Sequence, residues 1–366
     1  MLRSVDRWLL PYVTSLPRRI PADGTISVFI AVCDHFEPLH DTDLTGALDR
    51  LRTWLDRFPA ITDRFCGADG VPPRHTCFFP VEQYEPRLLD EISKLCRSTK
   101  AEVEIHLHHR NDSAAGVEDK LQNGVQDLCR HGLLSREESG RARYGFIHGN
   151  WALNHCDPHG RGCGVHREIP ILKQTGCFAD FTMPSAPHAT QARKVNSIYY
   201  SADATGANAL HSGTNVAAGV TAKLRHSPNR LLLIQGPLAL NWKRRKFSVL
   251  PKIENSDLTG RNPPDALRMQ LWINQRIGVT GRPDWIFVKL HTHGGIPQNF
   301  NMLLGEPMLG FFQAIEKANR DPDHRFRYHF VSAREMVNLI HAAEDKQMEE
   351  TDKLRNYLFP PPPVLQ

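Results

Sequence analysis

Short apolar runs alternate along this chain with stretches in which apolar residues recur every three or four positions, the signature of strands interleaved with amphipathic helices. ISVFIAVCD (26–34) gives way to Leu44, Leu48, Leu51, Leu55 and Phe58 at helical spacing. HTCFFP (75–80) precedes a helix at 86–97, where Pro86 suits the first helical position because its missing N–H costs nothing there. VEIHLHH (103–109) precedes a helix near 118–131. YGFIHG (144–149), CFADFTM (177–183), NSIYYS (196–201), RLLLIQG (230–236), WIFVKLH (285–291) and RYHFVS (327–332) read as further strands. Helical patterns lie near 166–175, 264–277, 307–319 and 333–347, the last opening with Ser332 and Glu335 as a capping box.

Eight or nine strands separated by helices predict an α/β fold, a parallel (β/α) barrel in preference to an open sheet. On this pattern residues 1–25 form an N-terminal extension, 26–347 a single barrel domain and 348–366 a C-terminal tail containing the run Pro360–Pro363. The stretch 203–229, rich in Ala, Gly, Asn and Ser, is an insertion of the kind that carries function or moves.

Composition narrows the class of protein rather than its chemistry. With 40% hydrophobic and 23% charged residues the 366-residue chain is ordinary globular material, and a net charge of +5 gives no reason to expect a nucleic-acid partner. The run Lys243-Arg244-Arg245-Lys246 reads as a solvated loop, with contact to a phosphate or anionic sugar as the sharper alternative. Arg7, Pro11 and Pro17 interrupt any apolar core of a secretory signal, and no apolar run reaches the ~18 residues a membrane span needs, so a cytoplasmic protein is expected. Eight cysteines without a CxxC pair fit reduced thiols.

Candidate chemistry gathers at strand ends. Period-2 alternation puts Val103, Ile105 and Leu107 on one face of the third run and Glu104, His106 and His108 on the other; Lys289, His291 and His293 share a face late in the chain. In α/β barrels such faces end at the C-terminal rim, where ligands and acid–base groups are presented. The first strand ends in CDHFEP (33–38), an acid and an imidazole able to activate water, bind a metal, or both. His148 and Trp151 suit a sugar-binding rim, and Asp180 points either inward or into a hydrogen-bonded core position. Cys156-x2-His159-x3-Cys163-x2-His166 has zinc-type ligands, but only three residues separate its halves, which favours a glycine-rich rim loop whose Arg161 meets an anionic substrate.

An acid-bearing first strand end, clustered histidines about seventy residues later and a late Leu-His resemble, in that order, the NodB-homology polysaccharide deacetylases (carbohydrate esterase family 4). The resemblance implies a distorted (β/α) barrel that removes acetyl groups from sugars with one divalent metal, commonly zinc. From the family's T-F-D-D-G motif it implies Asp34 as base and His35 as ligand. From H-[ST]-x-x-H it implies His106 as ligand; the second position falls on Arg110, so its partner is His108 or His109, the shared strand face favouring His108. Leu290-His291 matches the Leu-His whose imidazole protonates the leaving group, leaving His148, Trp151, Asp180 and His293 to bind substrate. The R-x-x-P-Y motif has no counterpart, and FIHGNWALNH (146–155) occupies its interval.

The expected function is therefore a metal-dependent hydrolase removing acetyl groups from an N-acetylated sugar or saccharide precursor. Two alternatives stand beside it. One is a glycosidase with paired carboxylates, for which Asp34 with Asp180 or with Glu37 are the nominated pairs. The other is an inactive carbohydrate-binding barrel.

Overall fold

A computed structural model describes residues 4–15, 24–157, 159–160, 162, 164–201 and 209–366. Helix α1 (Val5–Ser15) precedes the first strand. The strands are β1 (Ile26–His35), β2 (Thr76–Pro80), β3 (Glu102–Leu107), β4 (Ser135–Arg136), β5 (Ala142–His148), β6 (Cys177–Asp180), β7 (Ile198–Ser201), β8 (Gly213–Asn215), β9 (Leu232–Ile234), β10 (Ala239–Lys246), β11 (Leu250–Glu254), β12 (Trp285–Thr292) and β13 (Phe326–Phe330). Between and after them lie α2 (Leu44–Thr62), α3 (Pro86–Thr99), α4 (Ala114–Arg130), α5 (Glu168–Thr175), α6 (Ala266–Asn274), α7 (Phe300–Leu303), α8 (Glu306–Arg320), α9 (Ala333–Glu344) and α10 (Thr351–Leu354). Pro86 does open α3, and Ser332 and Glu335 form the capping box of α9.

Eleven strands form one sheet in the order β12-β1-β2-β3-β5-β6-β9-β7-β8, with β13 on β1 and β4 on β5. From β12 through β9 the ladders are parallel, whereas β7 runs antiparallel to both neighbours. This is a mixed α/β fold on a large, mostly parallel sheet. Among the described residues no ladder joins β8 to β12; the isolated bridge Ala217–Thr280 lies between the stretches that flank them. The hydrogen bonds thus establish the sheet and not the expected barrel closure.

Side-chain parity divides the core. Val28, Ile30 and Val32 pack outward among α2 and α3, while Phe29, Ala31 and Cys33 pack inward with Phe78, Phe287 and the wholly buried α9. On the inward face of β3, Glu102, Glu104 and His106 climb from the N-terminal to the C-terminal end of the strand. Glu102 meets Arg334 of α9 at 2.8 Å, so the lower end of the inward face is closed by a buried ion pair.

The C-terminal segment is not the extended tail its prolines suggest. Leu354 and Phe359 are buried, Phe359 stacks on Phe178 with centroids 5.0 Å apart, and Arg334 donates to the Phe359 carbonyl at 2.7 Å. Of the insertion near 203–229, the described part contains β8 and short turns. The basic run lies on the exposed β10–β11 hairpin beside exposed Trp242 and Phe247; Arg244 pairs with Asp265. No helix among the described residues is long and apolar enough to cross a membrane.

Candidate metal centre at the strand ends

β1 and β12 run in register with Cys33 opposite His291, and β1 meets β2 with His35 opposite Phe78. The same inward parity therefore carries His35, His106, His291 and the following His293 to the C-terminal end of the sheet, where ligand sites of parallel sheets form. His35 stacks on His293 with centroids 4.7 Å apart and stands edge-on to His106 at 5.0 Å. Glu37, two residues beyond His35 and so of the same parity, reaches His106 Nε2 with Oε1 at 3.1 Å. One ligand atom each from His35, Glu37 and His106 fall within 4.8 Å of one another, all three residues buried.

Second contacts aim these groups. His106 Nδ1 donates to the Ile147 carbonyl at 2.8 Å, since a carbonyl only accepts, and that bond aims Nε2 at Glu37. Burial, then His293, His106, His291 and Lys289, hold His35 well below the usual histidine range. Burial raises the Glu37 carboxyl, but the bond and charge of His106 with the charges of His108 and His293 outweigh it and hold Glu37 below its ordinary value. Beneath the rim the buried Lys289 donates to the Met183 carbonyl at 3.0 Å; burial lowers its ammonium to about 8.

Several expected roles change. Asp34 points opposite to His35, because neighbouring residues of a strand face opposite sides. Its Oδ1 accepts the Gly294 N–H at 2.6 Å and its Oδ2 lies 2.7 Å from His75 Nε2, so the expected base is a buried brace behind the site. His108 follows the end of β3, where strand parity stops: its Nδ1 and backbone N–H both turn to Glu82 at 2.7 and 3.2 Å, and its side chain is 37% exposed. It stands at the mouth, Nε2 3.4 Å from Glu37, outside the group of three. His291, expected as the acid, is held well below the histidine range by burial, then by Lys289, His293 and Arg268, which disfavours an imidazolium there. Its Nδ1 is buried without a hydrogen-bond partner.

Among the residues assigned to sugar binding, His293 remains at the centre and the others do not. His148 is fully buried on the outward side of the sheet, Trp151 is half-buried against His188 at 5.4 Å, and Asp180 is buried with Oδ2 accepting from Thr182 at 2.6 Å. Burial pushes Asp180 up to about 7. In the Cys/His run, Cys156 Sγ lies 3.2 and 3.3 Å from the Trp151 and Thr190 carbonyls, either of which can take its S–H; Arg161 and Cys163 lie outside the described residues. Glu37 is the member of the buried group of three that the sequence reasoning did not name as a ligand, and the His35-x-Glu37 spacing was the signal for it.

No protein-family model matches the chain, and no curated protein matches it. Among solved structures, 4-alpha-glucanotransferase from Thermococcus litoralis aligns with 84% of this chain at 11% identity and a TM-score of 0.38. The chain spans 39% of that structure's length. A likeness of this size leaves the chemistry to the residues themselves.

Proposed function

We propose that the protein is a metal-dependent hydrolase acting on an acetylated saccharide, with the cation held by His35, Glu37 and His106. The observation that carries this reading is the convergence of three buried donor atoms at the C-terminal end of parallel strands. Two imidazole nitrogens and one carboxylate oxygen are the donor set of open, catalytic zinc sites, and the unpartnered Nδ1 of His291 is a further buried donor. When bound, a divalent cation there would supply Lewis-acid polarisation of an acyl oxygen.

The chain's own groups do the rest. The Ile147 carbonyl fixes the His106 tautomer, and Asp34 holds Gly294 so that the loop bearing His293 stays against β1. With Asp34 turned away, Glu37 is the carboxylate that faces the centre. His108, exposed at the mouth and paired with Glu82, is the imidazole placed to hold a proton for a departing amine or alkoxide. Both nominated glycosidase pairs include Asp34, whose oxygens are already engaged, so the hydrolytic metal reading is the better supported of the two.

Purified chain incubated with N-acetylated sugars and oligosaccharides, with zinc supplied, should release acetate without new reducing ends. Reducing ends without acetate would favour the glycosidase. Neither product, with no bound metal, would overturn the reading.

A further inference from the structure

Strand parity sends a second set of donors to the other side of the sheet. His109, two residues past the end of β3, lies against His148, which ends β5 in the outward series of Tyr144 and Phe146. Glu168 opens α5 against them. His109 Nε2 lies 2.9 Å from His148 Nε2 and 2.8 Å from Glu168 Oε1, and His148 Nε2 lies 2.9 Å from the same oxygen. All three side chains have no solvent exposure.

The protons of two neutral rings do not account for these contacts. His148 Nδ1 is 2.5 Å from the Gly149 carbonyl, which only accepts, so the proton of the neutral ring sits there and Nε2 presents a lone pair. Glu168 Oε1 also presents lone pairs, so two acceptors face each other at 2.9 Å in a site sealed from water. A proton on His109 Nε2 can point at one of them, not at both. A cation between the three would meet all of these lone pairs at once. The carboxylate is also aimed: Glu168 Oε2 accepts the Asn154 N–H at 2.6 Å, and the Glu168 N–H donates to Asn154 Oδ1 at 3.3 Å.

We propose that His109, His148 and Glu168 form a second divalent-cation site, of the zinc class, which clamps the start of α5 to the ends of β3 and β5. Two imidazole nitrogens and one carboxylate oxygen converge as metal ligands do, and the bonds to Gly149 and Asn154 are the outer contacts that orient such ligands. With no ligand exposed, the cation's role is positioning.

The test uses cobalt(II) as the probe on chelator-stripped protein. The His106→Ala chain, whose rim centre is broken, should take up one equivalent with visible d–d absorption, and its melting temperature should rise on loading. Adding Glu168→Gln should abolish both effects. Because Glu168 also anchors Asn154, His109→Ala in the same background serves as a second variant, with circular dichroism reading the fold of each. No cobalt uptake by folded His106→Ala protein overturns the proposal, as does uptake unchanged in both second-site variants. Equal uptake by wild type and His106→Ala chains, with loss on Glu168→Gln, would instead remove the rim reading and leave this site standing.

Discussion

The two ends of the inward face are built from similar residue types and solved in opposite ways. At the N-terminal end buried charges find their opposites within the chain: Arg334 meets Glu102 at 2.8 Å, and Arg355 meets Glu335 at 2.8 Å and Asp69 at 2.5 Å. One step up, burial pushes the Glu104 carboxyl well above its ordinary range while the Gly145 N–H donates to it at 2.5 Å, so no counter-cation is needed. At the C-terminal end, imidazoles crowd one another around Glu37, and among the described residues no lysine or arginine pairs with that carboxylate. A protein can close its charges where it needs only to be stable. Leaving donors converged and uncompensated costs stability, and is the arrangement a ligand-binding end requires.

The largest effect should come from breaking the C-terminal end. His106→Ala removes an inward donor and should lower hydrolysis by roughly 10⁴-fold, about 5.5 kcal/mol of transition-state stabilisation. Zinc affinity at the rim should fall by more than the ~10-fold that even an outer contact costs. Stability should change far less, and a variant that keeps full activity would show that the convergence at this end is packing. Next comes Arg334→Ala at the N-terminal end, which leaves Glu102 buried without its cation and removes the donor to the Phe359 carbonyl. A loss of ~3–5 kcal/mol in denaturant unfolding is expected, because an uncompensated buried charge costs more than the pair itself contributes. The folded fraction should keep its rim metal; losing it would mean that the two ends are not separable.

That separation was half legible in the sequence. Strand runs such as ISVFIAVCD and WIFVKLH are visible because buried parallel strands read as continuous apolar runs, and VEIHLHH alternates cleanly enough to send His106 inward. Carried two strands back, the same parity separates Asp34 from His35 and joins His35 to Glu37; motif position alone had paired the wrong neighbours. His108 was misjudged because β3 ends at Leu107, and a strand's last residue is fixed by its partners rather than by its own pattern. The N-terminal end was not legible at all. Its contacts span long distances in sequence, as between Glu102 and Arg334, and several run through backbone carbonyls such as that of Phe359, which no side-chain pattern announces. Glu168 escaped notice for the same reason, since only the fold brings α5 to the end of β3.

A smaller effect is expected from pH at the N-terminal end. Burial would raise the Asp69 carboxyl, but His329 at 3.1 Å and Arg355 outweigh it and hold it below its ordinary value of 3.8. A depressed carboxyl contributes stability that is complete above its unfolded value and fades as pH falls through the folded one. Wild-type stability should therefore decline as pH drops below about 4, and Asp69→Asn should flatten that limb while costing about 1.5–3 kcal/mol near neutrality, the worth of hydrogen bonds to a charged group. Urea titrations of both proteins across pH 3–7 measure it, and parallel acid limbs would mean that the charge is closed elsewhere.

The smallest effect belongs to Asp34, which lies just behind the C-terminal end and tests where that end begins. Asparagine keeps an oxygen for the Gly294 N–H, and its amide can donate to His75 Nε2 if that ring adopts the other tautomer. Both contacts survive in kind, although without the charge that strengthens them. Asp34→Asn should retain rim metal, lose about 1 kcal/mol of stability and lower hydrolysis less than about tenfold. A base in the reaction would behave otherwise: its removal would cost on the order of 10²–10⁴-fold with metal and stability intact. Measuring kcat, zinc stoichiometry and unfolding on the same preparation separates the two. A loss in that higher range with Gly294 still held would return the base to Asp34 and require the strand end to turn during catalysis. A small loss leaves the carboxylate chemistry of the centre with Glu37, whose parity already places it there.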